Sequence, residues 1–202
     1  MQKEALIVVD MQNDFCPGGA LGVIWEDSIL PPVNRLIERH RHVILTQDWH
    51  TPDHTSFAAN HAGKLPYDVI RMPYGKQILW PSHCVMGTEG AAFHPELNTT
   101  TAELVLRKGY HTDVDSYSAF FENDRTTPTG LAGYLQERGM ERLVFCGLTT
   151  DFCVAYSALD AVRCGFQATV VLGACQAVDM EGSLTMALKE MRKNGVELLL
   201  SA

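Results

Sequence analysis

Short apolar runs alternate with amphipathic stretches along the whole chain. Ala5 to Val9, Val43 to Thr46, Leu104 to Leu106, Leu143 to Phe145, Ala168 to Leu172 and Val196 to Leu200 are rich in Val, Ile and Leu and read as strands buried on both faces. Between them, apolar residues recur at helical spacing. Ile29, Val33, Leu36 and Ile37 form one stripe, with prolines 31 and 32 in its first turn. Leu131, Tyr134 and Leu135 form a second with Thr129 as a cap; Val154, Ala155, Ala158, Leu159 and Val162 line a third behind Asp151. Leu184, Ala187, Leu188 and Met191 make a fourth, closed by Asn194-Gly195. Strands alternating with helices predict an α/β fold, a three-layer α/β/α sandwich whose mostly parallel sheet is covered by helices on both faces through right-handed crossovers.

The stretch from about 49 to 101 breaks this rhythm. It carries Pro, Gly, His and aromatic residues without periodicity, and it is expected to be an active-site insertion within a single domain spanning residues 1–202.

In parallel α/β sheets ligands bind at the carboxyl ends of strands, so the polar residues that close the apolar runs carry the functional information. The first run ends in Asp10, the second in Asp48, the third in Lys108, and the fourth in Gly147 ahead of Cys153. Each alone has a plain structural reading as a turn former, helix cap or solvated charge. As a set they are a carboxylate, an ammonium and a thiol at one mouth, the parts of a base-activated cysteine nucleophile. Cys153 stands at the start of the third amphipathic stretch, in Gly147-Leu-Thr-Thr-Asp-Phe-Cys153. A helix N-terminus there is expected to favour the thiolate and to offer N–H groups to an oxyanion.

A second constellation lies in the aperiodic stretch. Asp48, His50 and His54 fall in Asp48-Trp-His50-Thr-Pro-Asp-His54, and His83 follows in Trp80-Pro-Ser-His83-Cys84. Imidazole with carboxylate suits one divalent metal ion of borderline softness, Zn, Fe or Mn. Asp53 is an alternative carboxylate, with Pro52 expected to turn it outward. His40, His42, His61, His94 and His111 sit at helix ends or isolated loop positions and read as ordinary surface histidines.

Composition narrows the partners. A 202-residue chain with 46% hydrophobic and 20% charged residues is expected to bury a sizeable core, and a net charge of -8 disfavours nucleic acid and anionic membrane. A small-molecule substrate is the expectation. The apolar run Ala5 to Val9 is too short for a signal peptide or membrane span, and six scattered cysteines fit reduced thiols, so a cytoplasmic protein is expected. Self-association into a homo-oligomer is left open.

Asp10-Met-Gln-Asn-Asp-Phe15, the Asp48-Trp-His50 and His54 group, Trp80-Pro-Ser-His83-Cys84, Arg107-Lys108-Gly109, Asp115-Ser-Tyr117-Ser-Ala-Phe120 and Gly147-Leu-Thr-Thr-Asp-Phe-Cys153-Val together resemble the nicotinamidases among the isochorismatase-like cysteine hydrolases. The resemblance runs in order over nearly the whole chain. It implies a six-stranded parallel sheet and hydrolysis of nicotinamide to nicotinate and ammonia in NAD salvage, with pyrazinamide as a second substrate. It also implies roles: Asp10 as base, Lys108 as the charge that steadies carboxylate and thiolate, and Cys153 as nucleophile. The backbone N–H groups of Thr149 and Cys153 would form the oxyanion hole, beside a cis peptide between Leu148 and Thr149. The metal would orient the pyridine nitrogen, and Phe15, Trp80 and Tyr117 would surround the ring, although each also reads as an ordinary core aromatic. Thr149 departs from the pattern, since relatives often carry alanine there.

Three other readings compete. A carbamoyl or ureido cysteine hydrolase would keep Asp10, Lys108 and Cys153 but has no use for the Asp/His cluster. A vinyl-ether hydrolase needs no cysteine nucleophile. A non-enzymatic metal or thiol sensor usually needs a resolving cysteine near the reactive one, and Cys146, the nearest, lies inside an apparent strand.

Overall fold

The computed structural model describes residues 3–25 and 28–201. Its main sheet has six strands in the order β5-β2-β1-β6-β7-β8, built from β1 (Glu4–Val9), β2 (Val43–Asp48), β5 (Leu104–Lys108), β6 (Arg142–Leu148), β7 (Gln167–Gln176) and β8 (Glu197–Leu199). Every neighbouring pair is parallel. The helices α1 (Leu30–Arg39), α2 (Leu131–Glu137), α3 (Ala155–Arg163) and α4 (Ser183–Lys193) lie in the connections β1–β2, β5–β6, β6–β7 and β7–β8, while the crossover from β2 to β5 is the long stretch after Asp48, which holds no α-helix.

Burial follows position in the sheet. The central strands β1 and β2 are buried almost end to end, because helices cover both their faces. The edges differ from expectation. Alternate residues of β5 and β8 are exposed, with Val105 and Leu199 facing solvent, since an edge strand is covered on fewer sides. The stretch after Trp49 also holds an element that its sequence did not announce, the antiparallel hairpin β3 (Val69–Met72) and β4 (Gly75–Ile78). Its strands are four residues long and largely exposed, so no apolar run marks them.

Caps were partly legible. Pro31 and Pro32 do open α1, Thr129 Oγ1 accepts the Leu131 N–H at 3.3 Å, and Asn194 closes α4. Asp151 does not cap α3. Its carboxylate accepts the N–H groups of Val178 and Asp179 and the Ser183 hydroxyl, joining the loop after β6 to the start of α4.

The strand order places the chemistry. From β1 the chain crosses to β2 and β5 on one side, then returns to β6, β7 and β8 on the other, so a switch point opens between the carboxyl ends of β1 and β6. Asp10 follows β1 directly, and Cys153 lies five residues past β6. Gly147 allows these strands to approach. Its φ is 109°, and a Cβ there would stand 2.1 Å from the Val9 carbonyl oxygen.

Candidate active site

Asp10, Asp48 and Cys153 offer side-chain atoms that all lie within 4.8 Å of one another, and Lys108 stands among them. Lys108 Nζ is 2.9 Å from Asp10 Oδ2, 2.5 Å from Asp48 Oδ1 and 3.5 Å from Cys153 Sγ, and it donates to the Ser116 carbonyl at 2.9 Å. All four side chains are buried. An isolated ammonium here would be prohibitively costly, and two carboxylates with a carbonyl make it tenable. Burial alone would lower the Lys108 pKa, but Asp10 and Asp48 override it and hold the group well above its ordinary value.

Burial, reinforced by Asp48 and opposed by Lys108, raises the Asp10 carboxyl above the usual range, as suits a proton acceptor. Thr46 Oγ1 donates to Asp10 Oδ1 at 2.6 Å and accepts the Asp10 N–H at 3.1 Å. Although Asp10 Oδ2 touches the ammonium, it makes no well-directed hydrogen bond, so that oxygen retains capacity for a proton. At Asp48, Lys108 and then His50 overcome burial and hold the carboxyl well below the usual range.

The thiol corrects an expectation. Cys153 lies not in the first turn of α3 but in a π turn over Thr150–Val154, wound so that the Thr149 carbonyl accepts from the N–H groups of both Phe152 and Val154. Burial pushes its pKa well above the ordinary value, and the Asp10 and Asp48 carboxylates add to that against the pull of Lys108. Two anions and a desolvated sulfur outweigh one ammonium and the helix end. Cys153 therefore rests as a thiol and must be deprotonated as it reacts. The peptide bond between Leu148 and Thr149 is cis.

The histidines divide into two groups that share one member. Asp48, His50 and His83 form one set within 4.8 Å, while His54 joins His50 and Asp115 in another. Asp48 Oδ2 is 3.5 Å from His50 Nε2 and 3.9 Å from His83 Nε2. His50 Nδ1 meets the Gly109 carbonyl at 2.8 Å, and His83 Nδ1 meets the Pro81 carbonyl at 2.8 Å. A carbonyl only accepts, so both rings carry their proton on Nδ1 and turn the Nε2 lone pair inward. His54 Nδ1 contacts the Ser56 hydroxyl at 2.7 Å. The Nε2 atoms of His50 and His54 are buried without a hydrogen-bond partner. The inward Nε2 lone pairs of His50 and His83 beside an ionised carboxylate form a donor set that fits a divalent cation, whereas His54 Nδ1 accepts the Ser56 N–H at 3.2 Å, which leaves the proton of the neutral ring on its Nε2. Burial, then the neighbouring His50, brings His83 down to about 4, which leaves that ring neutral for ligation. Gly109 is required here: with φ at 71°, a Cβ would lie 2.5 Å from His50 Cε1.

Asp53 is exposed and turned away, as its neighbour Pro52 implied. The five remaining histidines have other company, such as Leu36 O for His40, Glu103 for His42, Thr55 O for His61 and Glu122 for His111, and His94 packs against Trp25.

A narrow pocket joins the two constellations, lined among others by Phe15, Trp80, Tyr117 and Thr149 with Cys153, Asp48 and His83. Phe15 packs edge-on against His83 at 5.4 Å between ring centres. Trp80 meets Phe152 edge-on at 5.0 Å and donates through Nε1 to the Tyr117 hydroxyl at 3.1 Å. All three expected aromatics thus stand at the pocket. A larger groove between the β3–β4 hairpin and helices α3 and α4 contains neither the thiol, the ammonium nor the histidines.

Sequence reasoning gave no role to Thr46, Asp115 or Phe152. Thr46 was legible in principle as the one hydroxyl closing the run Val43-Ile-Leu45. Asp115 was quoted within a motif, but nothing local links it to histidines some sixty residues earlier.

Residues 4–202 match the Isochorismatase domain family. The chain is 53% identical to the nicotinamidase of Acinetobacter baylyi over 98% of its own length and 92% of that protein's. Its structure is similar, with a TM-score of 0.97 and 52% identity, to a nicotinamidase and pyrazinamidase from Acinetobacter baumanii, covering 98% of this chain and 96% of that one. A pyrazinamidase of Pyrococcus horikoshii solved in complex with zinc is similar at a TM-score of 0.78 and 35% identity, covering 98% of each chain. The thiol, ammonium and carboxylate at the β1–β6 switch point thus sit on a fold shared from end to end with these hydrolases, and the chain belongs to the isochorismatase family.

Proposed function

We propose that this protein is a nicotinamidase that hydrolyses nicotinamide to nicotinate and ammonia through a thioester on Cys153, and that it also accepts pyrazinamide. The observation that carries the reading is the buried meeting of Asp10, Lys108 and Cys153 beside an Asp/His donor set. A carbamoyl hydrolase gives that donor set no purpose.

Asp10 takes the proton of the Cys153 thiol as Sγ attacks the carboxamide carbon. Burial raises the Asp10 carboxyl and so makes it a stronger base than in water, while Lys108 stays charged beside it and can steady the thiolate as it forms. Backbone N–H groups of Thr149 and Cys153 receive the oxyanion. Collapse breaks the carbon–nitrogen bond, Asp10 returns the proton to the departing nitrogen, and ammonia leaves a nicotinoyl thioester. Asp10 then deprotonates the attacking water, the carbon–sulfur bond breaks, and the proton restores the Cys153 thiol. Nicotinate is released.

Asp48, His50 and His83, with His54 beside them, would hold a divalent cation of the Zn, Fe or Mn class. When bound, it supplies a Lewis-acidic point that orients a ring nitrogen and selects for pyridine-like substrates. Phe15, Trp80 and Tyr117 flank the ring. The product feeds NAD salvage. Among the described residues no helix is long and apolar enough to cross a membrane.

Ammonia release from nicotinamide, followed with and without chelator, tests the reading. Cys153→Ala should abolish turnover and keep its metal. Substantial residual turnover in that variant refutes the nucleophile assignment.

A further inference from the structure

We infer that Gln12 is a positioning residue for the metal and ammonium site, acting through Asp48. β1 pairs with β2 only as far as Val8 opposite Leu45, and then turns away at Asp10, whose φ is 46°. Beyond that point the β1-facing edge of β2 has lost its strand partner, although β5 still pairs the other edge through Lys108 opposite Asp48. The carboxamide of Gln12 takes the missing place. Its Oε1 accepts the Asp48 N–H at 2.8 Å, and its Nε2 donates to the Asp48 carbonyl at 2.8 Å and to the Ala91 carbonyl at 2.9 Å.

A primary amide presents the same donor and acceptor as a peptide group, so this side chain extends the ladder by one residue. It is fully buried. What it steadies is the carboxylate that faces two ways, with Oδ1 on the Lys108 ammonium and Oδ2 toward the inward nitrogens of His50 and His83. A rotation of the Asp48 backbone would draw one oxygen away from its partner. Gln12 touches neither substrate nor the reacting atoms; it sets where a ligand and a counter-ion stand.

The inference rests on the metal reading, and the experiment separates the two. Chelator-stripped parent, Gln12→Met and Gln47→Met are titrated with zinc against a competing chelator dye, with folding followed by circular dichroism. Methionine keeps the volume and removes the three hydrogen bonds. Gln47 donates to the same Ala91 carbonyl at 2.9 Å without bonding Asp48, so its variant controls for general loosening. Zinc affinity should fall roughly ten- to hundredfold in Gln12→Met, as for other groups that orient a metal ligand, and stay within about threefold of the parent in Gln47→Met. Gln12→Glu keeps an acceptor for the Asp48 N–H but sets a carboxylate against two carbonyls; it is read by the same criterion and replaces Gln12→Met if that variant does not fold. Parent-like affinity in a folded Gln12 variant, or equal loss in Gln47→Met, overturns the positioning role alone. A parent that takes up no zinc overturns the metal reading with it.

Discussion

Replacing Lys108 by methionine tests the electrostatic logic of the site most directly. The substitution keeps most of the stem and removes the charge that stands 2.9 Å from Asp10 and 2.5 Å from Asp48. At an effective dielectric of about 20, unit charges 2.9 Å apart attract by roughly 6 kcal/mol, most of which offsets the desolvation of the pair. Removing one partner of a buried ion pair costs about 3–5 kcal/mol, because the other charge stays behind. Here two carboxylates stay behind, within 4.8 Å of each other, where their repulsion at the same dielectric exceeds about 3 kcal/mol. One must take up a proton, and it will be Asp10, whose carboxyl is already raised by burial, whereas Asp48 keeps His50 and His83 beside it to favour its charge after the ammonium is gone. A protonated base cannot accept from the thiol. The acid limb of kcat/KM, set by the need for ionised Asp10, should therefore move to higher pH, and turnover at neutral pH should fall on the order of a hundredfold or more. Melting should drop by roughly 6–20 °C, from the same 3–5 kcal/mol in a chain of this size. Ammonia release across pH 4 to 9 and a thermal melt read both. An acid limb that does not move, with turnover within tenfold of the parent, would show that the ammonium does not govern Asp10.

Thr46→Val removes the hydroxyl that donates to Asp10 at 2.6 Å; losing a bond that favours the carboxylate should raise the acid limb and lower stability by about 1–3 kcal/mol, and a pH profile superposed on the parent's would contradict it. His83→Ala should lower bound zinc and raise the nicotinamide KM more than His54→Ala, because His83 faces Asp48 and His50 whereas His54 pairs with His50 and Asp115; elemental analysis showing equal losses would place all four residues on one ion. Gly147→Ala sets a Cβ 2.1 Å from the Val9 carbonyl oxygen at a φ of 109°, so it should cost more than about 2 kcal/mol and displace the loop that carries Cys153. A parent-like melting temperature would mean that the two strands yield easily.

How far the residues alone carried the reading differs from element to element. β1, β2 and β6 were legible because strands covered on both faces must be apolar throughout. The β3–β4 hairpin was not, since a short exposed ribbon places no demand on its side chains. Asp151 looked like a helix cap because an aspartate before an apolar stripe has the same local signature whether it binds its own helix or, as here, the N–H groups of a segment some thirty residues later. Gln12 lay inside a motif that supplies Asp10 and Phe15, yet its partner is the backbone of another strand, which no spacing rule reaches.

The order of the six sheet strands and four helices, the choice of thiol, ammonium, carboxylate and imidazole, and the placing of Asp10, Asp48 and Lys108 at strand ends were determined by the chain itself, because periodic burial and side-chain chemistry are local properties. Their state was not. Whether Cys153 rests as thiol or thiolate, which carboxylate holds its proton, and how His50 is shared between Asp48 with His83 and Asp115 with His54 depend on distances of a few ångströms between segments far apart in sequence. Coulomb and desolvation energies change steeply over those distances, so only the folded arrangement decides them.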